Sequence, residues 1–282
     1  MVAIMTLVIF ANEAGRCLAR LAGHLGMIGS FEAQNDPARV SVLLHDAANW
    51  LREQGATQIV GPMDGDTWHR YRVNAGPFDR PPFLLEPVNP PYYDALWRAA
   101  GFEVLERYSS KRVDDVSRLA SQLAPMRERA VARGYRIRPI DPSRLTEELT
   151  LVWRLSLEIF RGNPFYSDIA LDEFLALYDG IERLLVHELV LFIQQGDETA
   201  GFLFAYPDSD SRTVNYKTIG VVPAHRRGYV GWAMLQQAYA AALTMQRPVA
   251  NHCLMREENA SQSMDAGEGT AFRHYLLYAL PT

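Results

Sequence analysis

The stretch at residues 218–239, "TIGVVPAHRRGYVGWAMLQQAY", decides how this chain is read. It opens with a short β-branched run, passes through a basic loop, and then places Val230, Met234, Ala238, Ala241 and Met245 at helical spacing. A strand that turns into a helix through a loop with few bulky side chains gathers free backbone amides at the helix start. The helix dipole there favours negative charge. Arg226 and Arg227 add charge-assisted donors suited to phosphate oxygens, while Gly228 and Gly231 let a ligand approach the backbone closely. No Gly-Lys-Ser/Thr follows, which excludes a Walker loop. The competing reading of the same residues is an ordinary strand-to-helix turn with surface arginines.

Working outward, three strands precede the loop, near residues 189–194, 200–205 and 213–222, and "PVANHCLM" supplies another after the helix. Upstream, "YRIRPI" reads as a strand, Asp141-Pro142 opens a helix bearing Leu145, Leu149, Val152 and Trp153, and a second helix falls around residues 171–178. "AFRHYLLYAL" closes the chain as a strand. The first half repeats the same order more weakly. It has a three-strand meander over residues 6–33, a helix from Asp36-Pro37 onward, and strand "TQIV". "PPFLLEPVNPPYYDALWRAAGFEVLERYSS" then reads as strand, helix and strand with a stop at Gly101. Residues 111–133 read as a linker helix with Pro125 as a break. The expected domains are therefore 1–110, a linker at 111–133, and 134–282.

With 282 residues, 48% hydrophobic and 22% charged, the chain has enough apolar content to bury a large core and is not disordered. A formal net charge of −5 gives no overall attraction to nucleic acid or an anionic membrane, so any anion site must be local. The apolar opening "MVAIMTLVIFANEAG" is too short to span a bilayer and reads as a buried strand. Cys17 and Cys253 form no pair or metal spacing, which favours reduced thiols and the cytoplasm. His69 beside Asp64 and Asp66 is weak grounds for a metal site, and none is expected.

The run "VVPAHRRGYVGWAML" resembles the acetyl-CoA loop of the GCN5-related N-acetyltransferases, V-x-P-x-x-R-x-x-G-x-G/A followed by an apolar helix. Val221, Pro223, Arg226 and Gly231 match without gaps, and Tyr229 stands where that pattern has its inner glycine. "ENASQSM" is similar to the segment that begins the last helix of that fold, and "NPPYYDALWRAAGF" is similar to its counterpart in a first copy. The resemblance implies an α+β fold of two such domains, each a mixed, mostly antiparallel sheet flanked by helices, with the N-terminal copy truncated. That copy has no Arg-x-x-Gly-x-Gly, and Asp36 at its helix start repels phosphate. The resemblance further implies acetyl-CoA or another acyl-CoA as cosubstrate. Val221 and Val222 would align the pantetheine, the amides of Arg226, Arg227, Gly228, Tyr229, Val230 and Gly231 would hold the pyrophosphate, and Asn259 would contact the cofactor arm.

The implied reaction is acyl transfer to an amine on a small molecule or peptide, with no nucleic-acid or membrane partner. The family's proton donor in the last helix falls on Asp265, which when ionised cannot donate. Its pKa is then raised, another donor serves, or this copy is a poor catalyst. His252, on the strand expected to splay from the loop strand, is the alternative general base; a core or surface histidine with a structural hydrogen bond is the competing and favoured reading. Two other readings stay open: a non-catalytic binding or assembly protein of the same fold, and a transferase that uses another carrier such as an aminoacyl-tRNA.

Overall fold

The computed structural model describes residues 6–281. The chain divides into two compact units, residues 1–109 with 272–282, and residues 110–271. In the first, β1 (Thr6–Asn12), β2 (Gly15–Ala22) and β3 (Leu25–Ala33) form an antiparallel meander. Helix α1 (Pro37–Glu53) buries Val40, Leu43, Leu44, Ala47, Ala48 and Leu51, the stripe expected of an amphipathic helix. It returns the chain to β4 (Gln58–Gly61), which lies parallel to β3. β5 (Val73–Gly76), α2 (Tyr93–Ala99) and β6 (Glu103–Val113) follow, and the unit boundary falls inside β6.

The second unit begins with α3 (Ser117–Ala132) and β7 (Tyr135–Pro139). A capped turn at Asp141 leads into α4 (Leu145–Ile159), and α5 (Leu171–Leu177) completes this helical layer. β8 (Val190–Gln195), β9 (Glu198–Pro207) and β10 (Thr213–Val221) extend β7 antiparallel, and α6 (Val230–Thr244) connects β10 to the parallel strand β11 (Val249–Arg256). The sheet order here is β11-β10-β9-β8-β7. Leu119 and Leu123 of α3 join Met234, Ala238 and Tyr239 of α6 in the core of one face. On the opposite face Gly220 of β10 carries no side chain because Ile159 of α4 and Phe202 crowd its position.

The last strand, β12 (Thr270–Leu280), pairs antiparallel with β4 and β5 of the first unit. The second unit thus ends at Ala271, where the sequence reading carried its domain to Thr282. Tyr278 stacks on the fully buried Trp97, with ring centroids 5.8 Å apart and planes 8° from parallel. Arg273 and Glu86 form a buried ion pair at 2.9 Å, and Arg273 also donates to the carbonyls of Pro77 and Arg80. That pair fixes residues 77–88 as an irregular segment, so the strand expected at "PPFLLEP" does not form; its prolines have no amides for a ladder. Pro125 does not end α3. The hydrogen bond it forfeits leaves the carbonyl of exposed Ser121 to water. The expected last helix at "ENASQSM" is only a 3-10 turn, Ala260–Ser263.

Candidate active site

β10 and β11 hold together only through Thr213–Val249 to Tyr216–His252 and then part. The bulge at Lys217, which interrupts the register of β10 with β9 between Tyr216 and Thr218, turns the strand at that step. Beyond it the Val222 amide donates to Ala200 of β9 at 2.9 Å. Strand alternation therefore aims the amides of Ile219 and Val221 the other way, to the side β11 has left.

The expected phosphate loop sits at the end of this opening. Residues Pro223–His225 make a 3-10 turn, and Gly228 donates its amide to His225 at 2.9 Å. His225 is buried and shares a hydrogen bond with Tyr135 Oη at 2.8 Å. A Cβ on Gly228 would lie 2.8 Å from that same oxygen, so this glycine serves the fold of the loop. At Gly231 a Cβ would make only ordinary contacts, the nearest with Met264 at 3.4 Å. Packing leaves room for a side chain there.

Tyr229 is the N-cap of α6 at φ +61°, and no side chain caps the helix. A left-handed tyrosine at this position costs backbone strain that a glycine would avoid. Its ring turns toward α3, where the guanidinium of Arg133 lies 4.9 Å and that of Arg129 5.5 Å from the ring centroid. Arg133 also donates to the Arg227 carbonyl at 2.9 Å. Arg129, Arg133, Arg226 and Arg227 are all exposed, and among the described residues none forms an ion pair with a carboxylate. Arg226 Nε reaches back to the Val221 carbonyl at 3.4 Å. The first-turn amides of α6 and these four arginines lie at one end of the loop, where Glu198 also approaches buried His225 at 3.3 Å. Val230 is core, and Asn259 is exposed at the start of the 3-10 turn with no side-chain bond to it.

His252 and Asp265 are both buried. His252 stacks on Tyr216 at 5.4 Å and shares a 2.8 Å hydrogen bond with Tyr239 Oη. Burial pushes its pKa down from 6.5 to about 4, against the pull of the Asp265 charge, so the ring is neutral at pH 7. Asp265 lies 3.3 Å from Lys111 Nζ and accepts the Gly267 amide at 3.0 Å. Nearby, Glu258 pairs with Arg256 at 2.8 Å. Tyr216 and Asn215, adjacent on β10, face opposite ways. Tyr216 joins the α6 core, while Asn215 accepts from Asn251 at 2.9 Å near the buried thiol of Cys253.

Sequence reasoning missed Tyr239, Lys111, Arg129 and Arg133. Tyr239 falls off the stripe drawn for α6, although its phenol is the polar end of a core side chain and needs a partner. The others lie on the segment read as a solvated linker. His69 pairs with Asp66 at 2.8 Å, and among the described residues no three His, Cys, Asp or Glu side chains gather for a metal.

An uncapped helix start at the mouth of two parting parallel strands defines a class, and comparison with known structures gives the same one. The fold is that of the GCN5-related N-acetyltransferases. A crystal structure of such a protein from Sphaerobacter thermophilus superposes with a TM-score of 0.56 at 13% identity, over 93% of this chain and 76% of that one. A tandem GNAT protein from the clavulanic acid biosynthesis pathway gives 0.53 at 11% identity, over 98% and 83%. In sequence, the chain is 26% identical over 201 residues to the bacterial ceramide synthase of Caulobacter vibrioides, covering 70% of this chain and 51% of that protein. The chain therefore spans about half the length of this relative. No family model matches it.

Proposed function

We propose that the protein is an N-acyltransferase that draws its acyl group from a coenzyme A thioester and delivers it to an amine on a small molecule or peptide. The observation that carries this is the uncapped start of α6, ringed by arginines without carboxylate partners, where β10 and β11 part. Tyr229 is compatible with the site because its ring leans on α3 under Arg129 and Arg133. The first-turn amides with Arg226 and Arg227 would hold the pyrophosphate. The thioester supplies an activated carbonyl. The Ile219 and Val221 amides, turned to the open side of β10, suit it as hydrogen-bond donors. His252 and Asp265 serve as positioning residues. Neutral His252 fixes Tyr216 and Tyr239 at the last paired step of the strands, and Asp265 with Lys111 fixes residues 262–267 beside it. The name of the Caulobacter relative denotes an amide-forming synthase, and we extend the amide-forming step to this chain. We place the activity in the cytoplasm, in keeping with two buried thiols that form no disulfide.

Calorimetric titration with coenzyme A, acetyl-CoA and a long-chain acyl-CoA tests the reading, and no heat with any of them at millimolar ligand would sink it. Arg226→Ala should weaken binding by about 1.5–3 kcal/mol, the worth of a charge-assisted hydrogen bond. An unchanged affinity would remove Arg226 from the site. Release of free thiol with a panel of amines then separates turnover from binding alone.

A further inference from the structure

We propose that Arg129 and Arg133, seated on the Tyr229 ring, form a second anion subsite that takes the 3′-phosphate of the donor's adenosine. The protein would thereby select a nucleotide-bearing thioester over a bare phosphopantetheine thioester. This rests on the coenzyme A reading above.

Three observations converge on it. Arg129 and Arg133 are four residues apart at the end of α3 and share one helix face, and both guanidiniums lie over one tyrosine ring, at 5.5 and 4.9 Å. That stacking holds two flexible side chains in place before any ligand arrives, and Arg133 is further tied to the loop through the Arg227 carbonyl at 2.9 Å. Second, the pair is un-neutralised. Other exposed arginines, such as Arg127, Arg136 and Arg154, also have no carboxylate partner among the described residues, so what marks this pair is the ring the two share. Four arginines that repel one another beside an uncapped helix start are stabilised by an anion carrying more charge than the helix start alone can meet. Third, the residue that breaks the glycine pattern of the loop is the one that builds the subsite, since only an aromatic ring at 229 gives the two guanidiniums a common seat. Favourable charge at the C-terminus of α3 accounts for a cation at 133 but not for the shared ring. A guanidinium fork matches a phosphomonoester, which offers several oxygens and up to two charges, better than it matches the neutral pantetheine arm.

The test is calorimetric binding of coenzyme A, 3′-dephospho-coenzyme A and 4′-phosphopantetheine to the full chain and to Arg129→Gln/Arg133→Gln. The expected result is coenzyme A binding at least about tenfold tighter than its dephospho form, the scale of one charge-assisted bond. The double variant should lose most of that ratio while its affinity for the dephospho form stays within about twofold. Equal affinity of the unmodified protein for the two nucleotides overturns the proposal without any variant, and so does an unchanged ratio in the double variant. Tight binding of 4′-phosphopantetheine alone also overturns it, and directs attention to a carrier protein as donor. If none of the three binds, the coenzyme A reading itself fails and this subsite falls with it.

Discussion

Helices α1 and α6 are the same device built twice, each crossing between two parallel strands, β3 to β4 and β10 to β11. Their first turns differ completely. At α1 the Asp36 carboxylate accepts the Arg39 amide at 3.1 Å and its guanidinium at 2.7 Å, and Pro37 fills the first helical position where no amide is needed. The helix supplies its own anion, and nothing is left for a ligand. At α6 the cap is a left-handed tyrosine with no side-chain bond, and the neighbours are four arginines. What separates a self-capped helix start from an uncapped one is therefore a single carboxylate and the direction of one ring. The crossover itself is common to both.

Acid should separate the two halves most. The folded pKa of His252 lies near 4 and its unfolded value near 6.5, so between those values the unfolded chain binds the proton first. Stability of the second unit is expected to fall by roughly 3 kcal/mol as pH drops through that window. Asp36, held below its usual pKa by the Arg39 amide and guanidinium, stays ionised there and keeps α1 capped. Hydrogen exchange at pH 7 and pH 4.5 should show protection lost in α6 and β11 before α1, and equal loss in both would contradict the assignment. His252→Asn should flatten the slope.

Tyr229→Asp turns the α6 start into the α1 kind, with an aspartate that tolerates left-handed backbone. Coenzyme A affinity should drop by about 2 kcal/mol as the carboxylate competes for the first-turn amides; titration of the variant decides it. Asp36→Ala makes the opposite exchange. It should cost about 1 kcal/mol in denaturant unfolding and leave ligand affinity alone. Gly231→Ala should change stability by less than about 0.5 kcal/mol, because the space for a methyl exists. A fall in coenzyme A affinity with an unchanged melt would show that the glycine is kept bare for the ligand.

Much of this was legible in the residues. The meander, α1, and the strand, loop and helix sequence around α6 all follow from local period, caps and turn chemistry. The failures are non-local. Nothing in "AFRHYLLYAL" tells a reader that its partners are β4 and β5, because apolar alternation specifies a face and not a neighbour. Asp265 is placed by resemblance at a proton-donor position, with nothing local to show its partner. It is buried because Lys111, more than 150 positions earlier, comes within 3.3 Å of it. Arg129 and Arg133 read as a solvated face for the same reason. A helical wheel shows which charges share a side but not that a tyrosine from a distant loop lies beneath them.

The strand that leaves the second unit to complete the first also sets an order of events during synthesis. Residues 110–271 are contiguous, so every contact within that unit becomes available before the part of β12 that belongs to the first unit is made. β4 and Trp97, by contrast, are translated early and wait through the whole of the later unit for Tyr278 and Arg273 to emerge. On the ribosome the half that comes first in the message is thus the half that closes last. Until it does, the apolar surface around Trp97 and the unpaired edge of β4 are what a chaperone would meet.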